Sequence, residues 1–476
     1  MSHGVRRWLA PDVALVASFV TLLYCLFLFD GTRNLFRDSD TGWHIRNGET
    51  ILSTGALPQT DPYSFTKGGE PWYAWEWASD ALIGFVHRRT GPAGVAFFFA
   101  AAIATLTWLW FRLHWALGGD FLLACAMASP FLSTANIHWL ARPHVFGWIL
   151  LASWLLWLES KNARLWQAAV LCLIWTNAHA SFFLQPLLLA LRGPASWPLG
   201  AGLALVTLAN PYFFNLHLHL WSYLTNVELL ARIGEFQSFN FHSEGSAQIV
   251  ATLALTAAGA VLALEQRRYR HAAMLALFWL IAIRSARGLP VLALLLPYAN
   301  AAITRALGRE PRFGSLLRYS AALRGIDSRF SGFFWILPVA GLAAIALAGP
   351  AARARSGFSP KDFPVQAAAA VDRLPLDARV LAPDKYGGYL IYRFEGRRKV
   401  FFDGRSDFYG AAFMKDYIAL VQVRPGWERQ LDRWRFTHAL LPSDYALAAV
   451  LPLKGWREVY RDGTAVLLEA SISRKP

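Results

Sequence analysis

Cysteine, methionine and charge are all scarce in this chain: three Cys, four Met and 16% charged side chains in 476 residues. Three thiols cannot staple a small secreted domain, and Cys25, Cys125 and Cys172 all lie in apolar stretches. So little charge beside 55% hydrophobic residues, with a mean hydropathy of +0.32, excludes a disordered chain and a coiled coil. Acidic residues are the scarcer sign, 31 against 46 basic, for a formal net charge of +15. Such an excess raises nucleic acid as a partner, but nucleic-acid binders are rarely this apolar, and none is expected here. A multi-span membrane protein with basic loops on one side accounts for both numbers. Also absent are a Walker motif, a G-x-G-x-x-G after a strand, an H-E-x-x-H and paired C-x-x-C elements. Their absence removes the nucleotide, dinucleotide, zincin and zinc-ribbon readings.

Long apolar runs are what the chain has instead. A membrane helix needs roughly 20 apolar residues. Such runs stand at about 12–30, 93–111, 121–136, 143–158, 165–181, 182–192, 198–212, 247–264, 271–284, 288–304 and 332–350. The expected fold is therefore a polytopic α-helical membrane protein with about eleven transmembrane helices. The runs at 121–136, 182–192 and 198–212 are short, as tilted or broken spans would be. Arg33, Asn34 and Arg37 follow the first run instead of a small-residue cleavage site, so it reads as an anchor, not a signal peptide.

Sidedness follows from the arginines. With Arg6 and Arg7 in the cytoplasm, the cytoplasmic loops collect 15 basic and six acidic residues, six of the basic ones in the 305–331 loop. An odd number of spans then places the C-terminus outside. From about 352 the pattern changes: runs of four to six apolar residues at 379–382, 400–402, 438–441 and 464–468 alternate with helical patterns at 365–373 and 426–435. This predicts a transmembrane domain over 1–351 and a small outer α/β domain over 352–476.

Chemistry is expected on the outer side. The first outer loop, about residues 30–92, holds eight carboxylates and many aromatics. Residues 40–54 suit a helix lying on the membrane, with Asp40 and His44 on one face at i, i+4. Asp38 and Asp40 suit either a divalent cation (Mg or Mn) or a general base with a supporting charge. A solvated D-x-D turn is the plainer alternative. His138, Arg142, His144, Asn177, His179, Asn210, Arg284 and Arg287 sit at predicted outer helix ends, where each alone could be a snorkelling anchor or a cap. As a group facing an acidic loop, they suit a phosphate or pyrophosphate. Asp403-Gly404-Arg405-Ser406-Asp407 follows a predicted strand and reads as a binding loop, or as a turn held by an Asp–Arg pair.

These residues resemble the GT-C superfamily of transferases that use lipid-phosphate-linked sugars, among them protein mannosyltransferases, aminoarabinose transferases and oligosaccharyltransferases. The matching features are Asp40 just past the first span, Trp43 and His44 beyond it, then Thr54-Gly55 and Pro58. Over most of its length the chain is similar to an uncharacterised bacterial GT-C-like group. The shared segments are Asp38–His44, Gly48–Ser64, Gly69–Trp77, Arg142–His144, Asn177–Ala180, Asn210–Tyr212, Arg284–Arg287, Gly387–Leu390 and Asp403–Asp407. It departs from bacterial members at Thr41, where they carry Glu, and at Glu70-Pro71-Trp72, where aminoarabinose-type enzymes carry K-P-P.

The resemblance implies inverting glycosyl transfer at the outer face of the bacterial cytoplasmic (inner) membrane, with the C-terminal domain periplasmic. The implied partners are a lipid-linked sugar donor, a lipid, glycan or protein acceptor, and membrane lipids. Asp40 would be the general base, Asp38 its support or its cation ligand, and His44 and Glu76 orienting groups. Arg142, His144, Asn177, His179, Arg284 and Arg287 would face the donor phosphate, and Asp403, Arg405 and Asp407 the acceptor. No cofactor beyond a divalent cation is implied. A transporter or flippase of a lipid-linked or anionic substrate, and a non-catalytic envelope protein, are the rival readings.

Overall fold

Every one of the eleven apolar runs is helical in the chain's structure, a computed structural model that describes residues 7–471. The first is Val13–Phe27 (α1), whose N-terminus is capped by the Asp12 carboxylate accepting from Leu15 N at 2.9 Å. Arg6 lies outside the described residues. Four helical stretches are long and apolar enough to cross a membrane: Arg7–Phe27, Trp77–Leu117, Ser246–Glu265 and Gly288–Leu307. The others, such as Phe121–Asn136, His144–Glu159 and Leu165–Ala178, are shorter apolar helices.

Helix enters the first outer loop at Asp40–Thr54, as expected, and again at Trp77, where loop was expected. Asp40–Thr54 (α2) forms as its i, i+4 pattern predicts and ends on Gly55, whose φ of 66° closes a left-handed C-cap. Its residues Asp40 to Ile45, with Asn47, Gly48 and Ile51, are buried inside the protein. Trp77–Leu117 (α3) begins 16 residues before the predicted span. It bends at Gly91, whose φ of 65° and ψ of −165° interrupt the helix just before Pro92.

Glycines explain how α2 becomes buried. A Cβ on Gly48 would fall 1.7 Å from the Asp80 carbonyl oxygen of α3, and one on Gly84 would strike the backbone of Gly48 and Glu49. On its other face, a Cβ on Gly42 would fall 2.2 Å from the Gly388 carbonyl oxygen, and one on Gly388 equally close to that of Ser39. The helix is thus held backbone to backbone between α3 and Asp384–Arg393 (α4) of the C-terminal segment.

The C-terminal segment carries a four-stranded sheet in the order β1-β2-β4-β3. β1 (Val380–Leu381) runs parallel to β2 (His438–Pro442), while β2 with β4 (Ala465–Glu469), and β4 with β3 (Arg457–Arg461), are antiparallel. Two further helices matter below, Ser406–Val421 (α5) and Trp427–Trp434 (α6). The apolar run at 400–402 is not a strand of this sheet. Val400 instead pairs with Ser64 of the first loop, donating to Tyr63 O at 2.9 Å and accepting from Phe65 N at 3.0 Å. Trp43, Tyr63 and Trp72 share one apolar core with Tyr386, Tyr389 and Val400. The first loop and the C-terminal segment therefore fold together.

The loops separate into two ends. At one, Asp12 meets Arg112 at 2.9 Å, Asp327 accepts from Val13 N at 2.7 Å, and Glu159 is paired with Arg270. The residues expected to carry chemistry gather at the other.

Candidate functional site

Asp40 is the first residue of α2, where the free N–H groups and dipole of a helix favour a carboxylate. Its own N–H donates to Asp38 Oδ1 at 2.8 Å, which sets the two acids side by side. Arg142, just before the helix His144–Glu159, reaches both: Nη1 to Asp38 Oδ2 at 2.7 Å and Nη2 to Asp40 Oδ2 at 2.9 Å. Nη1 also reaches Glu235 Oε1 at 3.0 Å. Glu235 in turn pairs with Arg287 Nε, and the Arg287 guanidinium lies 4.7 Å from the centre of the Phe236 ring. Sequence reasoning missed Glu235, because a lone acid in a loop between two spans carries no spacing signal.

Two cavities meet at this cluster. One, of about 270 Å³, is lined by Trp43, Trp72, Trp75 and Tyr223 and by aliphatic residues including Leu151, Leu184, Leu220 and Val291. Glu76, His144, His179, Arg405 and Asp407 also face it. The other, of about 290 Å³, is polar, with Arg37, Asp38, Arg232, Asp384 and Lys385 in its wall. Asp40, Arg142, Glu235 and Arg287 line both.

A histidine relay supports the wall. His44 Nδ1 is hydrogen-bonded to Asp80 Oδ1 at 2.6 Å, and Asn47 Nδ2 donates to Asp80 Oδ2 at 2.6 Å. This pairing leaves His44 Nε2 facing Glu76 Oε2 at 3.9 Å. His179 takes a hydrogen bond from Ser181 N on Nδ1 and turns Nε2 to Glu76 Oε1 at 3.5 Å. His144 Nε2 donates to the His138 carbonyl at 2.7 Å. Asn177 ties helices together, accepting from Trp77 Nε1 and donating to Leu173 O and Ala209 O. Arg284 is exposed and lines neither cavity.

The C-terminal loop closes the site by backbone contact. Asp403 is fully buried, fixed by Arg405 at 2.8 and 2.7 Å and by the Tyr409 hydroxyl at 3.1 Å. Arg405 also donates to Asp61 of the first loop at 2.7 Å and packs 4.6 Å above the Trp72 ring. Asp403 and Arg405 thus form a clamp with every carboxylate paired, as burial of such charges demands, and Asp403 faces neither cavity. Asp407 is bonded to His219 at 3.0 Å. The clamp presses Gly404 onto Asp40: a Cβ there would fall 1.8 Å from Asp40 Oδ1. Gly404→Ala is expected to push the carboxylate aside and cut turnover by about 10²-fold, as misplacements near 1 Å do. An unchanged melting temperature with that loss, read by turnover and thermal unfolding together, separates it from a folding defect.

Burial raises Asp40 to about 7, against the pull of Arg142 and with help from Asp38. Burial, with Asp80 beside it, raises Glu76 to about 8. Burial also works to raise Glu235, but Arg287 and Arg142 outweigh it and hold the group well below the usual carboxylate range. A carboxyl group accepts a proton only when ionised, so any activity in which Asp40 takes up a proton should climb as pH rises through about 7. A pH profile of kcat/KM checks this; a limb at the ordinary carboxylate value of about 4 would contradict it.

The fit of a divalent cation follows from the same distances. Asp38, Asp40 and Glu235 are the oxygen donors available, and Arg142 already occupies their point of convergence. A cation there would displace the guanidinium and be repelled by it. Among the described residues no group of three or more His, Cys, Asp or Glu is arranged to hold a metal ion. Asp38 and Asp40, read as cation ligands or as a base with a supporting charge, both pair with Arg142.

No family model and no curated protein matches this chain. Solved structures do, in fold. The apo oligosaccharyltransferase of Archaeoglobus fulgidus is similar over 97% of this chain and 74% of its own, with a TM-score of 0.58 and 14% identity. The same archaeal enzyme, AglB, in complex with an inhibitory peptide and a dolichol-phosphate has a TM-score of 0.59 at 12% identity, covering 96% of this chain and 74% of its own. Its complex with Zn and sulfate has a TM-score of 0.55 at 13% identity, over 96% and 73%. The chain shares the fold of these archaeal oligosaccharyltransferase structures.

Proposed function

We propose that the chain is an inverting glycosyltransferase that takes a sugar from a polyprenyl-phosphate-linked donor, with Asp40 as general base. The supporting observation is the position of Asp40, on the wall shared by an apolar-lined and a polar cavity. The donor's polyprenyl end suits the first, and the acceptor suits the second. Fold neighbours that bind a dolichol-phosphate and an acceptor peptide support a lipid-linked donor and a protein acceptor. A lipid or glycan acceptor uses the same chemistry.

In the transfer, an acceptor O–H loses its proton to the Asp40 carboxylate as its oxygen attacks the anomeric carbon. The bond from that carbon to the phosphate oxygen breaks, and the electron pair leaves on the phosphate. Arg287 meets this charge best: only its Nε is engaged, by Glu235, and its two Nη groups make no hydrogen bond among the described residues. Arg142 holds Asp40 in place and offsets the three acids around it. Glu76, protonated at neutral pH, and His44 and His179 orient the donor or the base. Asp403 and Arg405 position Gly404 and the first loop, and Asp407 faces the donor cavity. The eleven apolar helices would span the bacterial inner membrane, with the Asp12–Asp327 end cytoplasmic and the C-terminal domain periplasmic. The basic loops at the first end support that orientation.

With Arg142 in the cation's place, transfer should withstand chelation. Activity measured before and after EDTA treatment should be unchanged; loss restored by Mn or Mg would overturn this role for Arg142. The reading itself is tested in proteoliposomes supplied with a polyprenyl-phosphate sugar. Transfer appears as free polyprenyl phosphate and a new glycosidic bond in equal amounts. Substrate that crosses the bilayer with no new bond would instead mark a transporter.

A further inference from the structure

A third cavity, of about 300 Å³, lies in the C-terminal domain on the far side of the Asp403 clamp. Helices α5 and α6 form most of it, with Thr66, Lys67 and Glu70 of the first loop at its rim. We propose that it binds a neutral pyranose unit of a glycan, outside the reaction centre.

Ring faces come first. Tyr409, Phe413, Tyr417 and Trp434 line the cavity, and Phe413 and Trp434 lie edge to face with centroids 6.1 Å apart. The C–H face of a pyranose packs against such aromatic faces, and its hydroxyls need planar polar groups at the edges. Those groups are present: Gln430, Asp416 and Arg433. Gln430 Oε1 is buried with no hydrogen-bond partner among the described residues. A buried acceptor without a donor is costly, and a sugar hydroxyl would supply one.

Charge narrows the class. Asp416 pairs with Arg433 at 3.3 Å and Glu70 with Lys67 at 2.9 Å, so each cation in the wall has its own anion. That balance offers no surplus positive charge for a uronate or a phosphate. The volume is at the small end of ligand pockets and admits about one ring, not a chain of them.

The position gives the site a use. Tyr409 presents its ring to this cavity and its hydroxyl to Asp403, and Asp403 holds Arg405 beside Gly404. The sugar site and Asp40 are therefore joined through one segment, 403–409. A glycan held here is gripped by a rigid neighbour of the reaction centre while another part of it is free to move. It could be part of the acceptor or of a product. Sugar binding here needs no transfer chemistry.

The test uses the full-length protein in detergent, with Trp fluorescence and calorimetry, titrated with methyl glucoside, methyl N-acetylglucosaminide and methyl glucuronide. At least one neutral glycoside should bind saturably, and the glucuronide at least about tenfold more weakly. Ala412 is exposed in the cavity wall, so Ala412→Arg fills the space from solvent without touching the core. It should weaken binding at least about tenfold with an unchanged melting temperature, and Gln430→Leu should weaken it independently. Asp40→Asn should bind as the unaltered protein does, which separates this site from the proposed reaction. To tell the sources apart, a glycosylated acceptor and a sugar-free acceptor are compared in Ala412→Arg. Loss of affinity, relative to the unaltered protein, for the glycosylated one alone assigns the site to the acceptor, and affinities for both unchanged from the unaltered protein assign it to the product. No saturable binding of either neutral glycoside, equal binding of the glucuronide, or full binding by Ala412→Arg would overturn the proposal.

Discussion

Asp40→Asn should lower turnover by about 10²–10⁴-fold, the usual worth of a positioned general base. The amide keeps the size of the carboxylate and can still fill the space beneath Gly404. It loses the lone pair that accepts the acceptor's proton, and it loses the charge that pairs with Arg142 at 2.9 Å. Arg142 keeps Asp38 and Glu235, so the guanidinium remains neutralised and the fold should hold. Donor binding should be retained, because the apolar cavity is lined mainly by residues the change does not touch. The measurement is single-turnover transfer beside donor affinity. Turnover within about threefold of the unaltered protein would end the base assignment, since that lies far below the range for a catalytic base.

Arg287→Ala should cost about 10²–10³-fold in turnover, the range for loss of one donor to developing charge. The loss should fall on kcat more than on KM, because the phosphate gains charge only as the glycosidic bond breaks. Arg284→Ala is the internal control. Arg284 stands three residues earlier, is exposed and borders neither cavity, so its removal should leave turnover unchanged. Equal losses in the two variants, measured by steady-state kinetics, would mean that general positive charge and not position matters. Removal of Arg287 also frees Glu235, whose low pKa depends on Arg287 and Arg142 together.

Much of the helical architecture is legible in the amino-acid order. Long apolar runs force helices, and all eleven are helical. The i, i+4 placement of Asp40 and His44 gave α2 its helix and its common face. Its burial was not legible, because it depends on Gly42 and Gly48 meeting Gly388 and Gly84, and nothing local distinguishes a glycine that packs from one that turns. Arg457–Arg461 went unread as a strand since an exposed edge strand rich in charge has no apolar signal. Val400–Phe402 carried the signal of a strand, yet its partner is the first loop and not the sheet.

The site divides in the same way. Arg142 and Arg287 stood out as cations at helix ends, and the structure brings both to Asp40's wall. Their shared partner Glu235 was hidden, as was the distinction between Arg287 and Arg284. The Asp–Arg turn at 403–405 was among the readings open from sequence, and its clamp on Asp61 ties it to the first loop. The Asp38–Asp40 pair suggested a cation, and an arginine far along the chain fills that place instead.

The most direct test is the pool of polyprenyl-phosphate-linked sugars in a strain lacking this protein, read by mass spectrometry of lipid extracts. The unused donor should accumulate, and fall again when the unaltered protein is restored but not when Asp40→Asn is. A pool unchanged by the deletion would contradict glycosyl transfer as the function of this site.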